Sequence, residues 1–300
     1  LLKKKKKMEL ERLKKRLLKE EQRRGRKTSN KWRYRTIGTF LFLVLALCSW
    51  YGFQAGGDET PRKLLRRAEK LVEKGEYRKA VSQLRSLNEH YPSTDSGVRA
   101  LLLSGDILLL HLRREQEALL SFLLVERDYP DTPWCDTARR RVADIYKYHL
   151  QDFGRALVSY QKILDSKAPD KERVQYEIAD TYFRMNNFEQ TRIEFEGLLN
   201  DYPHSNLVPE ALYRIGSAFF LEGNYLDAVE VLQRLCTDYP DSSFALEGFF
   251  TLAQVHEEWG DLRKALHILE GLRGRYDKES ILDQRMTQIK QRLKKKNKGI

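Results

Sequence analysis

Cysteine is scarce in this chain: only Cys48, Cys135 and Cys236 occur among 300 residues, so a fold held together by disulfides is not expected. The six histidines, His90, His111, His149, His204, His256 and His267, show no paired metal spacing of the His-Glu-x-x-His kind. The nearest approach, His256-Glu257-Glu258-Trp259, reads as an exposed or groove-lining stretch of helix. Also missing are the glycine-rich phosphate loop with its Lys-Ser/Thr ending, the Gly-x-Ser-x-Gly elbow and the Gly-x-Gly-x-x-Gly dinucleotide fingerprint. A covalent catalyst needs a nucleophile beside a positioned base, and no such pairing is legible. The chain is therefore expected to be a binding protein and not an enzyme, with no cofactor, metal or small-molecule substrate.

The net charge of +12 suggests a nucleic-acid binder until it is divided along the chain. Residues 1–35 carry 17 Lys/Arg against 4 Asp/Glu, a net of +13, which leaves −1 for all that follows. A nucleic-acid reader is expected to show a basic excess on its folded part, and this body has none. From Leu1 to about Arg26 the composition is charge plus leucine, with Leu10, Leu13 and Leu17 three and four apart, which predicts a short basic helix. It is expected to lie near anionic lipid, with a weak coiled coil as the alternative. Met8 is a candidate start for the natural chain.

Thr36–Phe53 holds no charge, and its eighteen residues fall within the range of about 17–25 that spans a bilayer. Trp32 and Tyr34 before it, and Trp50, Tyr51 and Phe53 at its end, match the aromatic belts of the two interfaces. The dense basic flank predicts a cytoplasmic N-terminus, as for a single-pass protein of the bacterial inner membrane with the rest periplasmic. A cleaved signal peptide would need a shorter basic region and a small-residue cleavage site, which Gln54-Ala55-Gly56-Gly57 supplies only in part. A lipid anchor at Cys48 would need a small residue where Leu47 stands. Residues 54–60 form a polar linker, and Pro61 suits the first turn of a helix.

The segment Pro209–Pro240 reads as two amphipathic helices, Glu210–Leu221 and Tyr225 to about Tyr239, reversed at Gly223-Asn224. Its pattern recurs. A small residue stands in the first helix at Ala68, Gly105, Ala143, Ala179, Gly216 and Ala253, and twelve or thirteen positions later in the second at Ala80, Ala118, Ala156, Thr191, Ala228 and Ala265. Four residues on comes Leu84, Phe122, Tyr160, Phe195, Leu232 or Leu269, and three further Leu87, Val125, Ile163, Leu198, Leu235 or Leu272. Units end in Tyr91-Pro92, Tyr129-Pro130, Tyr202-Pro203 and Tyr239-Pro240, whereas the third ends in Ala168-Pro169 and the sixth in Tyr276-Asp277. Gly75, Gly223 and Gly260 are expected at within-unit turns. Cys135 and Cys236 fall in the third and fifth units, which do not adjoin, so no disulfide is expected between them.

This pattern resembles the tetratricopeptide repeat, over roughly residues 61–276. The tandem Tyr-Pro endings resemble those of bacterial envelope proteins of the BamD and YbgF/CpoB types. The resemblance implies an all-α, right-handed superhelix, an α-solenoid of about six helix pairs over 61–277. A capping helix and basic tail would follow over 278–300, where Ile281, Leu282, Met286, Ile289 and Leu293 supply an apolar side. It also implies work in outer-membrane protein assembly or in coordinating division and wall synthesis.

In repeats of this kind the first helices line the concave face. Counting from the small residue gives a candidate groove of Tyr176, Asp180, Phe183, Arg184, Tyr213, Ser217, Phe220, Phe250, Gln254 and Glu257. Aromatics interleaved with single charges suit capture of an extended peptide or a helix. Asp180, Arg184 and Glu257 are expected to be exposed, while Phe183, Phe220 and Phe250 could equally pack between repeats. The leading expectation is a membrane-anchored periplasmic scaffold for protein partners. The alternatives are an accessory subunit of a membrane enzyme or secretion complex, and a periplasmic chaperone.

Overall fold

The computed structural model describes residues 15–16, 18–21, 23, 60–130 and 132–297. The chain divides into two units, Leu1–Lys63 and Leu64–Ile300. In the first, residues 15–16, 18–21 and 23 are helical and exposed, in keeping with a short basic helix there. Among the described residues no helix is long and apolar enough to cross a membrane; the expected span Thr36–Phe53 lies outside them.

The described residues from Pro61 onward form helices and turns, with no strand among them. Six helix pairs follow one another: α1 (Pro61–Glu73) with α2 (Tyr77–His90), α3 (Asp95–Leu110) with α4 (Glu115–Asp128), α5 (Pro133–Asp144) with α6 (Phe153–Asp165), α7 (Lys171–Arg184) with α8 (Phe188–Asp201), α9 (Val208–Leu221) with α10 (Tyr225–Asp238), and α11 (Ser243–Glu258) with α12 (Leu262–Gly271). A last helix, α13 (Glu279–Asn297), follows. From α2 onward each helix packs on the next, and the first helices also touch across neighbouring units, α3 on α5 and α9 on α11. The cores are accordingly local. One runs from Leu65 to Ile178 through the first four units, and smaller ones continue it to Leu282, Met286 and Ile289 on α13.

The small-residue register explains why the pairs form. All twelve small positions are buried, as are the large residues four and seven places beyond those of the second helix. A Cβ built on Gly105 would lie 2.6 Å from Phe122 Cζ, and one on Gly216 would lie 2.7 Å from Leu232 Cγ. The side chain four places on thus rests directly on the backbone of the facing helix, a fit that only a small residue permits.

Turns obey the same repeat. The reversal within each pair places one residue at positive φ: Gly75, Arg113, Gln151, Asn186, Gly223 and Gly260. Only three are glycine, so three turns hold a side chain in a region where L-residues are disfavoured. Between units, Tyr91, Tyr129, Tyr202 and Tyr239 end their helices with φ between −131° and −134°, and each N–H donates to the carbonyl four residues back. The proline that follows forbids these tyrosines the helical conformation. Their rings fill space between repeats, and Tyr129 Oη donates to the Pro92 carbonyl at 2.8 Å. The third unit, without its tyrosine, closes differently: Lys171 Nζ donates to Leu164 O at 2.6 Å, and Asp170 stands at φ 59° before α7.

One helix departs from α geometry. In the second and third units eight residues separate the first-helix small position from the positive-φ residue (Gly105 to Arg113, Ala143 to Gln151), against seven elsewhere. The second unit takes up the surplus in a looser turn over residues 111–114. The third takes it up as a π turn, Ile145–His149, continuing α5. An inserted residue of this kind rotates the side chains that follow it around the helix.

Candidate functional site

The π turn carries Lys147 into the wall formed by the first helices. Its side chain is wholly buried, yet all three ammonium donors are used. Nζ donates to Glu177 Oε2 at 2.7 Å and to the Glu177 carbonyl at 3.0 Å, and it lies 2.8 Å from Asp180 Oδ2. Tyr148 Oη donates to the same Glu177 oxygen at 2.8 Å. Two arginines reach Asp180 from its open side, Arg184 through Nε at 2.9 Å and Arg214 of α9 at 3.5 Å. Arg184 lies over the Tyr148 ring and Arg214 over the Phe183 ring, 5.0 and 5.2 Å from the centroids. Tyr176 Oη donates to Glu210 at 2.5 Å. The third, fourth and fifth repeats are thereby stitched together along their first helices.

Electrostatics follow from this burial. Desolvation alone would raise the Asp180 carboxyl, but Lys147, Arg184 and Arg214 together overcome it and hold Asp180 below the usual carboxylate range. Burial and then the bond to Glu177 push the Tyr148 phenol up. Burial likewise raises Asp144, despite the hydrogen bond it accepts from Tyr160 at 2.8 Å, and the Glu177 charge adds to the shift. Acid thus faces acid between α5 and α7, where the neighbouring interfaces pair Asp106 with Arg141 and Asp180 with Arg214. Lys147 supplies the missing counter-charge.

A second cluster closes the far end. Glu257 is buried and bound by two arginines of α13, Arg285 at 2.7 Å and Arg292 at 2.5 Å. Beside it His256 is buried with neither ring nitrogen hydrogen-bonded, and its ring is parallel to that of Trp259, 6.3 Å away. Burial, then the nearby Lys264, holds this imidazole below its ordinary pKa.

These positions correct part of the sequence reading. Asp180 and Glu257 are not exposed; each is buried because arginines from its own or a neighbouring helix satisfy it. Nor is His256-Glu257 an exposed stretch, although Glu258 and Trp259 are exposed. Arg184 is exposed as expected. Tyr176 is buried, and Phe183, Tyr213, Ser217, Phe220, Phe250 and Gln254 are half-buried. The aromatics pack against other rings: Phe250 stacks on Tyr276 at 5.2 Å, Tyr213 meets Phe244 at 6.0 Å, and Phe220 meets Tyr225 at 6.2 Å. Lys147, Glu177 and Arg214, which sequence reasoning missed, join Asp180 and Arg184 in one cluster. The available signal was the eight-residue spacing from Ala143 to Gln151.

Cys135 and Cys236 are both buried and unpaired, and burial pushes the Cys236 thiol up to about 11. Among the described residues no group of three or more His, Cys, Asp or Glu is placed to hold a metal.

Comparison with known proteins agrees with the helix-pair geometry. Residues 65–133 match one tetratricopeptide repeat family, and residues 173–205 and 210–242 match another. A solved tetratricopeptide repeat protein from Parabacteroides merdae is 19% identical, with a TM-score of 0.54 over 71% of this chain and 78% of its own. The crystal structure of PilW, described as a widely conserved type IV pilus biogenesis factor, is 14% identical, with a TM-score of 0.51 over 74% of this chain and 97% of its own. At these identities the likeness concerns the fold. No curated protein matches the sequence.

Proposed function

We propose that this tetratricopeptide-repeat chain is a membrane-tethered scaffold that gathers protein partners along the first-helix face of its fourth to sixth repeats. The observation that carries the reading is the composition of that face: half-buried Phe183, Tyr213, Phe220 and Phe250 beside exposed Arg184. Aromatic rings and arginine are the side chains that concentrate binding energy at protein interfaces.

The tether is Thr36–Phe53, with the +13 segment before it in the cytoplasm and the repeats in the periplasm of a bacterial cell. Anionic head groups hold the basic segment at the inner leaflet. Envelope work, in outer-membrane protein assembly or in coordinating division with wall synthesis, follows from the likeness of the Tyr-Pro endings to those of BamD and CpoB. Reporter fusions test the topology. An export-dependent phosphatase fused at Gly57 is expected to be active and one fused at Arg26 inactive; a cytoplasm-dependent reporter active at Gly57 would reverse the assignment. Crosslinking in intact membranes followed by purification of the chain is expected to recover a protein partner, and deletion of residues 61–277 to abolish its recovery.

A further inference from the structure

We infer that His256 makes the sixth repeat an acid-sensitive latch, in which protonation of one buried imidazole opens α11 and α12 and releases α13 while the earlier repeats stay folded. The inference goes beyond the partner-binding reading and does not depend on it.

Register singles this residue out. Three places beyond the first-helix small residue stand Leu71, Leu108, Tyr146, Tyr182 and Phe219 in the first five units, and His256 in the sixth. The first five belong to the core or pack against it. A place that elsewhere holds an aliphatic chain or an aromatic ring thus holds a titratable group here. His256 is 3% exposed, whereas the other five histidines are all exposed. Neither of its ring nitrogens has a hydrogen-bond partner, a condition uncommon for a buried polar group.

The charges around the ring do not welcome a proton. Next to it on α11, Glu257 is taken by Arg285 and Arg292 of α13, and Glu258 is exposed. At the start of α12, Asp261 spends a carboxylate oxygen on the Lys264 backbone N–H at 3.1 Å, and it favours the charged imidazole less than the Lys264 ammonium opposes it. From α10, Tyr225 packs on Trp259, while Phe219 and Phe220 of α9 and Val229 of α10 join the core around Val255.

Burial and then Lys264 hold the folded imidazole below its ordinary value, and an opened unit returns it to about 6.5. The open form therefore binds the extra proton. The closed form keeps its full advantage above about pH 6.5 and loses it as pH falls through the folded value, by up to about tenfold in population per pH unit. Opening stays local because a repeat is held only by its neighbours. Beyond α12 the described residues hold this unit with one helix, α13, whose Arg285 and Arg292 grip the residue next to His256. Its Lys290 also reaches Glu270 of α12, so displacing α11 and α12 removes these anchors together. Opening also uncovers the Phe250 ring, now stacked on Tyr276, and so changes what the last repeat presents to a partner.

Amide exchange of the full chain at pH 7 and pH 5, corrected for the intrinsic pH dependence of exchange, tests the latch. Protection of α11–α13 relative to α3–α8 should fall about tenfold or more between the two. His256→Phe supplies the ring that the fifth unit has at Phe219, and it should keep α11–α13 equally protected at both pH values. His256→Leu, matching Leu108 of the second unit, should do the same if the larger ring does not fit. His267→Gln removes an exposed histidine of the same repeat and should leave the acid response of the parent intact. Histidine-selective NMR adds a direct readout, in which the His256 imidazole of the parent should titrate below the other five. An acid response that survives both His256 variants, or one that disappears in His267→Gln, would overturn the inference. So would protection lost evenly over all repeats, or a His256 that titrates with the exposed histidines. Failure of both His256 variants to fold at pH 7 would also contradict it, because the same position accepts an aliphatic or aromatic side chain in every other unit.

Discussion

Lys147→Met is expected to destabilise the array by about 3–5 kcal/mol, because it leaves charge buried without its partner. Lys147 is wholly enclosed and, among the described residues, is the only cation within 3 Å of Glu177, whose other ion pair there, to Arg173, is at 3.7 Å. Asp180 keeps Arg184 and Arg214, so the damage falls chiefly on Glu177 and on the interface between α5 and α7. Removing the acid together with the base should recover most of the loss, since a buried ion pair replaced by apolar groups of similar size is often neutral. Urea unfolding of the parent, Lys147→Met and Lys147→Met/Glu177→Met checks this. Amide exchange adds a spatial readout: protection should fall in α5 and α7 and persist in α10 and α12, since repeats depend on their neighbours. A single variant as stable as the parent would show that the lysine is dispensable.

The second large effect tests the register itself. Phe122→Ala should cost about 3–5 kcal/mol by opening a cavity above Gly105, where the ring now rests. Gly105→Leu alone should cost about 1–3 kcal/mol or more, since its side chain must displace that ring. Combined, the two changes should be markedly less harmful than their sum, because the new leucine occupies the space the phenylalanine vacates. Thermal or denaturant melts of the four proteins complete the cycle. Strict additivity would mean that the two positions do not meet, and would undo the alignment of all six units.

Most of the helix-pair arrangement was legible from the chain, and physical reasons explain which parts were. Ala179 and Phe195, or Gly216 and Leu232, meet within one unit, so their contact leaves a signal at fixed short spacing that every copy repeats. The within-unit turns were half legible: Gly75, Gly223 and Gly260 announce positive φ, whereas Arg113, Gln151 and Asn186 hold the same conformation without an identifying residue type. The buried charges were not legible. Asp180 has Arg184 one turn away, which reads as an ordinary surface pair, while the remaining cations against it, Lys147 and Arg214, and those against Glu257, Arg285 and Arg292, stand some thirty residues away on other helices. Nothing in local composition records such a pairing. Lys147 lies in the π turn that takes up the extra residue between Ala143 and Gln151, and it is buried there. Glu257 carries a further lesson, because one end of the expected groove is occupied by the arginines of α13.

The central claim, that the first-helix face of the fourth to sixth repeats is the partner-binding surface, is tested most directly by binding of the recovered partner to three forms of the full chain. These are the parent, Tyr213→Ala, and a form lacking residues 294–300. Tyr213 is half-buried against Phe244 on that face, and as an anchor its truncation should cost about 2 kcal/mol of binding energy. Loss of the basic tail should change affinity little at physiological salt, where exposed charges are largely screened. Unchanged binding by Tyr213→Ala, with binding abolished by the tail deletion, would place the surface on the C-terminal helix and contradict the account.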